Sequence, residues 1–336
     1  MFVSNRITLA HGSGGRLTHE LIHDLIIRYL TNPILNKLTD SAMVTCKERL
    51  AFTTDSFVVS PLFFPGADIG KLAVCGTVND LVVAGAQPLY LSLSLIVEEG
   101  LEYETLKQVI ISVARNSRNA AVKIVTGDFK VVEKGACDKL FINTSGIGRI
   151  VSSGELSANN IAITDKIILT GRIAQHGLSV LTKRKGVHLG FSIKSDCNPL
   201  NSLIVPILHK IEGIKFMRDP TRGGLATTLN EIAVASGKGI VIQEEKISIA
   251  HNVRCACELL GIDPLYIANE GIAVIIVKEN DAHKVLRLLR NHFLGRYASV
   301  IGEVVRTPRK RVVLHTASGG WRILDMLTGE TIPRIC

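Results

Sequence analysis

Three aspartates in the first half of the sequence occupy positions at which a carboxylate could bind a metal ion instead of only capping a turn. Asp55 and Asp128 each follow an apolar, strand-like run, a place where an aspartate ordinarily caps the turn. Asp80 lies beside Asn79 in a segment that is otherwise apolar or small, so its burial requires hydrogen-bond partners or a metal ion. Magnesium prefers carboxylate oxygens combined with substrate phosphates. We therefore predict that Asp55, Asp80 and Asp128 converge as magnesium ligands.

Two glycine-containing segments offer backbone N–H groups at the start of a helix. The segment His11-Gly12-Ser13-Gly14-Gly15 is either a flexible N-cap or a cradle for a phosphate or acyl group. The segment Asp219-Pro220-Thr221-Arg222-Gly223-Gly224 either sets a turn or binds a polyphosphate with its metal, since it adds a carboxylate, a hydroxyl and a guanidinium. Lys130, close to Asp128, is either solvated or neutralises phosphate charge.

Two further residues suit proton transfer and covalent attachment. Glu270 precedes an apolar strand and is expected to be partly buried, which raises the pKa of a carboxyl and suits a general base. A structural hydrogen bond is its alternative role. The sequence ends in Pro333-Arg334-Ile335-Cys336, and Cys336 is either an incidental surface thiol or a carrier that reaches a cleft. Arg334 would favour its thiolate, whereas the adjacent terminal carboxylate would oppose it.

Alternating strands and helices must position these residues. In the first half, hydrophobic spacing predicts strands at 49–54, 57–64, 90–97, 123–126 and 140–150, and helices at 69–85 and 103–120. The polar stretch 152–160 is the predicted linker. In the second half, the same reasoning predicts strands at 166–170, 240–243 and 273–277, and helices at 177–182, 226–236 and 281–294. Beyond His315, glycines and the absence of periodicity predict a mobile tail.

The length of 336 residues fits about two domains at roughly 150 residues each. We predict an α/β (α+β) protein with an N-terminal domain at residues 1–155, a C-terminal domain at 160–315 and a flexible tail at 316–336. The tail carries Cys336.

Composition argues against several classes of protein. No apolar run reaches the ~18 residues of a membrane helix, and residues 1–10 lack a signal-peptide pattern, so we expect a soluble cytoplasmic protein without membrane contact. The seven cysteines are expected to stay reduced, with Cys255 and Cys257 assigned to helix packing rather than to a metal. The net charge of +9 raises nucleic-acid binding as a possibility. The basic clusters at 183–185 and 306–311 lack interleaved aromatics, which favours a solvated face or an acidic protein partner over nucleic acid.

Together these segments resemble the HypE family of hydrogenase maturation carbamoyl dehydratases. They resemble more broadly the superfamily of aminoimidazole ribonucleotide synthetase, selenophosphate synthetase and thiamine-monophosphate kinase. The resemblance runs over the whole chain and rests on residues 11–15, 64–71, 77–80, 126–128, 219–224, 269–271 and 333–336. The terminal cysteine separates HypE from relatives that act on free small molecules. Two positions depart from the family pattern: Ala67 replaces a usual glycine, and Phe129 replaces a usual threonine, which removes a hydroxyl beside the expected phosphate site.

The resemblance implies two α/β domains, a homodimer formed by the N-terminal domains through a barrel-like sheet, and ATP with Mg²⁺ near the domain junction. It implies that the carbamoyltransferase HypF places a carbamoyl group on Cys336. ATP-dependent dehydration then gives a thiocyanate, and a HypC–HypD scaffold receives the cyano group for a nickel-iron hydrogenase.

The resemblance also implies roles for individual residues. Catalytic roles fall on Cys336, Glu270 and Lys130, and magnesium ligands on Asp55, Asp80, Asp128 and Asp219. Nucleotide and phosphate contacts fall on Gly12, Gly14, Gly15, Lys71, Asn79, Asp128, Thr221, Arg222 and Gly223. The general base stays open between Glu270, a histidine and the substrate phosphate. Two alternative functions also stay open: a superfamily kinase or synthetase acting on a free metabolite, with Cys336 irrelevant, and a nucleic-acid-associated protein.

Overall fold

The computed structural model of the chain describes residues 6–12, 16–37, 47–184, 189–326 and 334–336. The predicted site residues Gly14 and Gly15 lie outside these described residues, as do Ser13, Lys185 and Pro333. No helix in the described ranges is long and apolar enough to cross a lipid bilayer. The described part folds into two units of mixed strands and helices that meet along one buried helix.

The strands of the first unit are β1 (Leu50–Phe57), β2 (Phe63–Phe64), β3 (Ala67–Asp68), β4 (Ala86–Glu98), β5 (Lys123–Val132) and β6 (Leu140–Ile150). The main sheet has the order β1-β6-β4-β5, and β2 pairs with β3 separately. Within this sheet only the β4–β5 pair is parallel. Strands β1 and β5 therefore form its two opposite edges.

The helices of the first unit are α1 (Arg16–Leu21), a π-helical stretch (Ile22–Ile27), α2 (Arg28–Leu30), α3 (Ile69–Val83) and α4 (Tyr103–Asn119), with 3-10 turns at Leu9–Gly12 and Leu35–Lys37. Helices α3 and α4 pack side by side on one face of the main sheet.

Helix α3 is one of the elements through which the two units contact each other. It is apolar or small around nearly its whole circumference, a pattern that requires burial on all sides. Its N-cap is Asp68, whose carboxylate accepts hydrogen bonds from the N–H groups of Gly70 (2.8 Å) and Lys71 (3.0 Å). The helix carries Asn79 and Asp80 to the junction, where it also contacts the second unit.

The strands of the second unit are β7 (Lys166–Leu169), β8 (Ile214–Arg218), β9 (Gly239–Gln243), β10 (Val274–Val277), β11 (Ser299–Val305), β12 (Val312–His315) and β13 (Trp321–Leu324). They form one sheet in the order β13-β12-β9-β11-β7-β10-β8, in which only β12 and β9 are parallel neighbours. The helices are α5 (Gln175–Lys183), α6 (Asn201–Leu208), α7 (Gly224–Ser236), α8 (His251–Leu260) and α9 (Glu279–Arg290), with 3-10 turns at Ala158–Asn160, Glu244–Lys246, Pro264–Tyr266 and Phe293–Gly295.

The structure corrects several sequence predictions. The predicted strand at 57–64 is wrong beyond Phe57 except for the two residues of β2. Strands β8 and β11 and helix α6 were not predicted. The tail was predicted to lack regular structure from residue 316, yet β13 pairs with β12 across a turn at 316–320. The segment of β13 contains Arg322 and lacks an apolar run like those of the equally short strands β7 and β10, so the glycines of this turn resembled the end of the fold.

Candidate active site

Four carboxyl groups from four elements meet at the junction, and we call them the carboxylate cluster. Asp55 belongs to β1, Asp80 to α3, Asp219 follows β8, and Glu270 precedes β10. The charge of Asp80 acts on both Asp55 and Asp219, and Asp55 and Asp219 act in turn on Glu270. Thr53 Oγ1 donates a hydrogen bond of 2.9 Å to Asp80 Oδ2, which fixes that side chain.

Burial raises the pKa of every member of the carboxylate cluster. For Asp219, burial and then the charge of Asp80 raise the pKa to about 7. Glu270 is only 4% exposed, and burial followed by the charge of Asp219 raises its pKa well above the ordinary value. Within the described ranges, no three histidine, cysteine or acidic side chains already stand at metal-binding spacing. The cluster is a buried concentration of negative charge that a bound cation would stabilise.

Asp196 positions the backbone at Glu270. Its Oδ2 accepts hydrogen bonds from the N–H groups of Glu270 (3.0 Å) and Gly271 (2.8 Å). Gly271 must be glycine because an added Cβ would collide with the Asp196 carbonyl oxygen. Burial raises the pKa of Asp196 to about 6. Sequence reasoning missed Asp196, because a single aspartate in an irregular segment carries no pattern.

Asn269 ties together three segments around the cluster. Its Oδ1 accepts from the N–H of Ala174 at 2.7 Å, and its Nδ2 donates to the carbonyl oxygens of Pro220 and Ile267, each at 2.9 Å. The side chain is fully buried. Asn269 therefore aligns the start of α5, the segment before α7 and the segment that carries Glu270.

Asn79, predicted to contact a nucleotide, makes similar structural bonds. Its Nδ2 donates to the carbonyl oxygens of Asn198 and Glu270, each at 3.1 Å, and its Oδ1 accepts from the N–H of Leu200 at 2.8 Å. The side chain of Asn79 is buried, and both its amide nitrogen and its amide oxygen are hydrogen-bonded within the protein. The structure therefore favours a positioning role for Asn79 over a direct nucleotide contact.

The last three residues, Arg334, Ile335 and Cys336, which we call the terminal tripeptide, lie beside the carboxylate cluster, and we call the space between them the cleft. The N–H groups of Val58 and Ser60 donate to the carbonyl oxygens of Cys336 (3.2 Å) and Arg334 (3.3 Å). This pairing uses part of the segment that was predicted to be a strand. Cys336 Sγ accepts a hydrogen bond of 2.9 Å from Arg222 Nε.

Arg222, not Arg334, contacts the terminal thiol, so the predicted role of Arg334 is wrong. Arg334 Nη1 instead donates to Asp138 Oδ2 at 2.7 Å, and its Nε donates to the Val58 carbonyl oxygen at 3.0 Å. Burial, and then the charge of Glu270, raise the pKa of Cys336 to about 11. The docked cysteine is consequently a protonated thiol at neutral pH.

Other predicted residues surround the cleft or its approach. Gly223 is the N-cap of α7, and the Thr221 carbonyl oxygen accepts the N–H of Gly224 at 2.9 Å, which shapes the turn that presents Arg222. Lys71, in the first turn of α3, donates through Nζ to the Gly66 carbonyl oxygen at 3.2 Å.

Gly12, Asp128 and Lys130, which we call the β5 group, lie apart from the carboxylate cluster. Asp128 Oδ1 accepts from Lys130 Nζ at 2.9 Å, and both side chains are more than half exposed. Gly12 packs so closely on Val131 of β5 that an added Cβ would clash. Three strand spacings separate β5 from β1, or about 14 Å.

The predicted convergence of Asp128 with Asp55 and Asp80 is therefore wrong within one chain. Strand order, which hydrophobic spacing does not contain, places Asp128 at the far edge of the sheet. Phe129, expected beside a phosphate site, is instead buried in the core at 8% exposure.

Comparisons with known proteins agree with this architecture. Family models described as AIR synthase related protein match residues 38–150 (N-terminal domain) and 164–315 (C-terminal domain). Carbamoyl dehydratase HypE of Escherichia coli is 46% identical over 99% of this chain and 100% of its own length. Its counterpart from Cupriavidus necator is 45% identical over 99% of this chain and 95% of its own. The chain belongs to the HypE family.

Solved HypE structures extend the match to three dimensions. A crystal structure of HypE in complex with ATP superposes with a TM-score of 0.95 at 45% identity, covering 98% of this chain and 99% of that one. A HypE–HypF complex matches with a TM-score of 0.81 at 44% identity, covering 91% of this chain and 99% of that one. The thiamine monophosphate kinase of Aquifex aeolicus, at 19% identity and a TM-score of 0.60, shares the fold.

The raised carboxyl pKa values predict how this HypE-family chain responds to pH without nucleotide. The folded-state pKa of Asp219, about 7, exceeds its ordinary value of 3.8. The stability that Asp219 contributes is therefore fully present below about pH 4 and lost as pH rises towards 7. Asp219→Asn removes this loss, so we expect its melting temperature to exceed that of the parent chain by roughly 2–5 °C at pH 8, with a smaller difference at pH 5.

Thermal melts of both chains from pH 5 to pH 8 would measure this difference directly. Comparing the two chains cancels the titration of shared groups that the charge of Asp219 does not reach. Glu270, whose pKa that charge raises, loses this part of its shift in Asp219→Asn, which acts in the same direction. Asp24→Asn, at an exposed position far from the cluster in sequence, serves as the matched control and should follow the parent chain at every pH. If the melting temperatures of Asp219→Asn and the parent chain differed by the same amount at every pH from 5 to 8, the assignment of a raised pKa to Asp219 would be contradicted.

Proposed function

We propose that this chain is an ATP-dependent carbamoyl dehydratase, a lyase that acts on the S-carbamoyl group of its own Cys336. The observation that carries the proposal is the docking of the Cys336 thiol against Arg222, within the electrostatic reach of Glu270 and Asp55. A group attached to Sγ in this position enters the cleft that the carboxylate cluster lines. The relatives that are about 45% identical over nearly the full length are named carbamoyl dehydratases.

The reaction removes the carbamoyl oxygen as phosphate because an amide oxygen is itself a poor leaving group. Transfer of the ATP γ-phosphoryl group to that oxygen releases ADP and one N–H proton and leaves an O-phosphorylated imidate on Sγ. Loss of the second N–H proton expels phosphate and forms the S–C≡N group. We propose that Glu270 is the base that removes this second proton. Its raised pKa makes its carboxylate a stronger proton acceptor than that of an ordinary glutamate.

The carboxylate cluster fits Mg²⁺ bound together with ATP. Asp55, Asp80 and Asp219 supply oxygen ligands of the kind that Mg²⁺ prefers, and a cation relieves the burial and repulsion that raise their pKa values. When bound, Mg²⁺ neutralises phosphate charge. Arg222 adds a guanidinium at the same cleft, and we retain Thr221 and Gly223 beside it as phosphate contacts.

We further propose a homodimer in which the β5 group of one chain completes the site of the other. The face of the main sheet opposite α3 and α4 presents a row of Phe52, Ile147 and Tyr90, aligned across three neighbouring strands. Phe52 is 71% exposed, which is unusual for so large an apolar side chain. Two such sheets packed face to face form a barrel-like core, and the β5 group supplies Asp128 and Lys130 to the partner's nucleotide.

Phe52→Asp is expected to give a monomer whose ATP affinity falls at least tenfold. A two-fold symmetric interface contains the substituted residue twice, and the free energy of burying these two unpaired charges destabilises the dimer. Sedimentation and calorimetric titration with MgATP would measure both effects. Leu259→Asp, at an equally exposed apolar position on α8, is the control and should change neither. A dimeric Phe52→Asp chain, or a monomer with full ATP affinity, would contradict the shared site.

We propose HypF as the source of the carbamoyl group and a HypC–HypD complex as the acceptor of the cyano group. One of the similar solved structures is a HypE–HypF complex, which supports HypF as a partner. The pKa of about 11 keeps the docked Cys336 protonated and poorly nucleophilic. HypF must therefore receive the terminal tripeptide outside the cleft. We assign the chain to the cytoplasm, where reducing conditions keep this thiol free.

Intact mass spectrometry tests the proposed function. The chain is incubated with HypF, carbamoyl phosphate and an ATP analogue whose β–γ bond cannot be hydrolysed, purified, and then treated with MgATP or again with that analogue. We expect one carbamoyl adduct on Cys336, which loses the mass of one water only with hydrolysable ATP. An unmodified terminus, with ATP consumed only when a free metabolite is added, would assign the chain to the kinase or synthetase branch.

A further inference from the structure

His176 is a buried histidine that the chemistry proposed above does not use. It lies in the first turn of α5, is 0% exposed, and packs against the edge of Phe64 with 5.5 Å between ring centroids. Its Nε2 stands 2.7 Å from the carbonyl oxygen of Ile335, and its Nδ1 stands 2.9 Å from Ser195 Oγ. One side chain thus links the residue before Cys336 to the interior of the second unit.

The hydrogen-bond partners determine which ring nitrogen carries the proton. A carbonyl oxygen only accepts, so His176 Nε2 is the N–H donor to Ile335, and Nδ1 accepts the hydroxyl proton of Ser195. Ser195 Oγ in turn accepts the N–H of Cys197 at 3.1 Å. Burial lowers the pKa of His176 to about 4, so the ring stays neutral at neutral pH and keeps this arrangement.

The segment that holds His176 also holds the backbone of Glu270. Asp196, directly after Ser195, accepts the N–H groups of Glu270 and Gly271. A displacement of this segment therefore moves the docked tripeptide and the assigned base together.

We propose that His176 and Ser195 are positioning residues that hold the terminal tripeptide, with its modified cysteine, in register with Glu270. This inference rests on the proposed function for its catalytic consequence, but the docking itself is measurable without catalysis. Arg184 Nη2, which donates to the Arg334 carbonyl oxygen at 2.9 Å, adds a contact on the exposed side. His176 supplies the buried contact, where loss of a hydrogen bond leaves an unsatisfied carbonyl group.

Alkylation of Cys336 by iodoacetamide reports docking, because the docked thiol is shielded and protonated. His176→Asn removes the donor at the Nε2 position, whereas the longer side chain of His176→Gln places an amide N–H near that position. We expect His176→Asn to raise the alkylation rate roughly tenfold and His176→Gln to raise it less than threefold. Glu-specific cleavage after Glu330 isolates Cys336 in the peptide 331–336. Cys255, on α8, is the internal reference, and its rate should not change.

Three outcomes would overturn the proposal: an alkylation rate of folded His176→Asn within twofold of the parent chain, equal acceleration by Asn and Gln, or matching acceleration at Cys255. If His176→Asn does not fold, Ser195→Ala decides the question. We expect it to raise Cys336 alkylation about threefold, because it removes the donor that orients the ring, and an unchanged rate would reject the proposal.

A second readout separates positioning from a merely structural role. In carbamoylated protein, His176→Asn is expected to slow the single-turnover loss of water about tenfold, while loading by HypF, which takes place outside the cleft, is not slowed. His176→Gln should restore most of the rate. Faster alkylation without slower dehydration would show docking to be irrelevant to turnover and would reject the catalytic half of this inference. If no chain dehydrates the adduct, the proposed function fails, whereas the alkylation result still stands.

Discussion

Cys336→Ala is expected to abolish both the carbamoyl and the cyano adduct while leaving MgATP affinity unchanged. The reacting group is attached to this sulfur, and no other described thiol contacts Arg222. The carboxylate cluster, to which we assign ATP and Mg²⁺, is untouched by the substitution. Intact mass after incubation with HypF, carbamoyl phosphate and ATP measures the first effect, and calorimetric titration measures the second.

Cys255→Ala is the matched control for this experiment, since Cys255 is also partly exposed but lies on α8, in a different part of the second unit. It should form both adducts at the parent rate. ATP-dependent formation of a product by Cys336→Ala would remove the carrier role of Cys336 and favour an enzyme that acts on a free metabolite.

Glu270→Gln is expected to slow the single-turnover dehydration of carbamoylated protein by roughly 10²- to 10⁴-fold, the usual contribution of a general base. Glutamine preserves the shape of the side chain and the backbone bonds to Asp196 but cannot accept the proton. Rapid-quench mixing with MgATP, followed by mass analysis of peptide 331–336, measures the rate. Loading by HypF should be unaffected because it takes place outside the cleft.

The pH dependence distinguishes Glu270 from the other candidate bases. The parent rate should fall as pH drops through the raised pKa of Glu270, because the protonated carboxyl cannot act as a base. That acid limb should be absent from Glu270→Gln. Glu270→Asp, which keeps a carboxylate on a shorter side chain, should retain the limb at a lower rate. A dehydration rate of Glu270→Gln within tenfold of the parent rate would assign the role of the base to a histidine or to the substrate phosphate.

Hydrophobic spacing was sufficient to locate most of the elements that build the junction. Strand β6 begins and ends at the predicted residues, because alternating burial along an eleven-residue strand imposes a clear two-residue period. Helix α3 was recognisable from its uniform apolar character, which also indicated that Asp80 is unusual. Strand β13, in which Arg322 interrupts the apolar residues, has no continuous apolar run and was missed, whereas the equally short strands β7 and β10 were recognisable from their apolar runs.

The candidate site was predictable where one residue stands out from its local sequence, and unpredictable where the role depends on tertiary contacts. Glu270 and Cys336 belong to the first kind. Asp128 belongs to the second, since strand order alone separates it from Asp55. Arg222 and Arg334 are equally plausible partners for the thiol in sequence, and only the path of the terminal tripeptide assigns the contact to Arg222. His176 has no neighbouring motif at all.

The short connection between β13 and Cys336 makes the substrate an intramolecular one. Strand β13 ends at Leu324, so 12 residues (336 − 324) join the sheet to the thiol, and their extended length is at most about 40 Å. A group confined to so small a volume has an effective concentration on the order of millimolar. A free metabolite of equal intrinsic affinity must exceed that concentration to occupy the same cleft as often. The tether thereby gives the terminus an advantage over diffusible competitors of similar affinity, without any pocket having to discriminate against them.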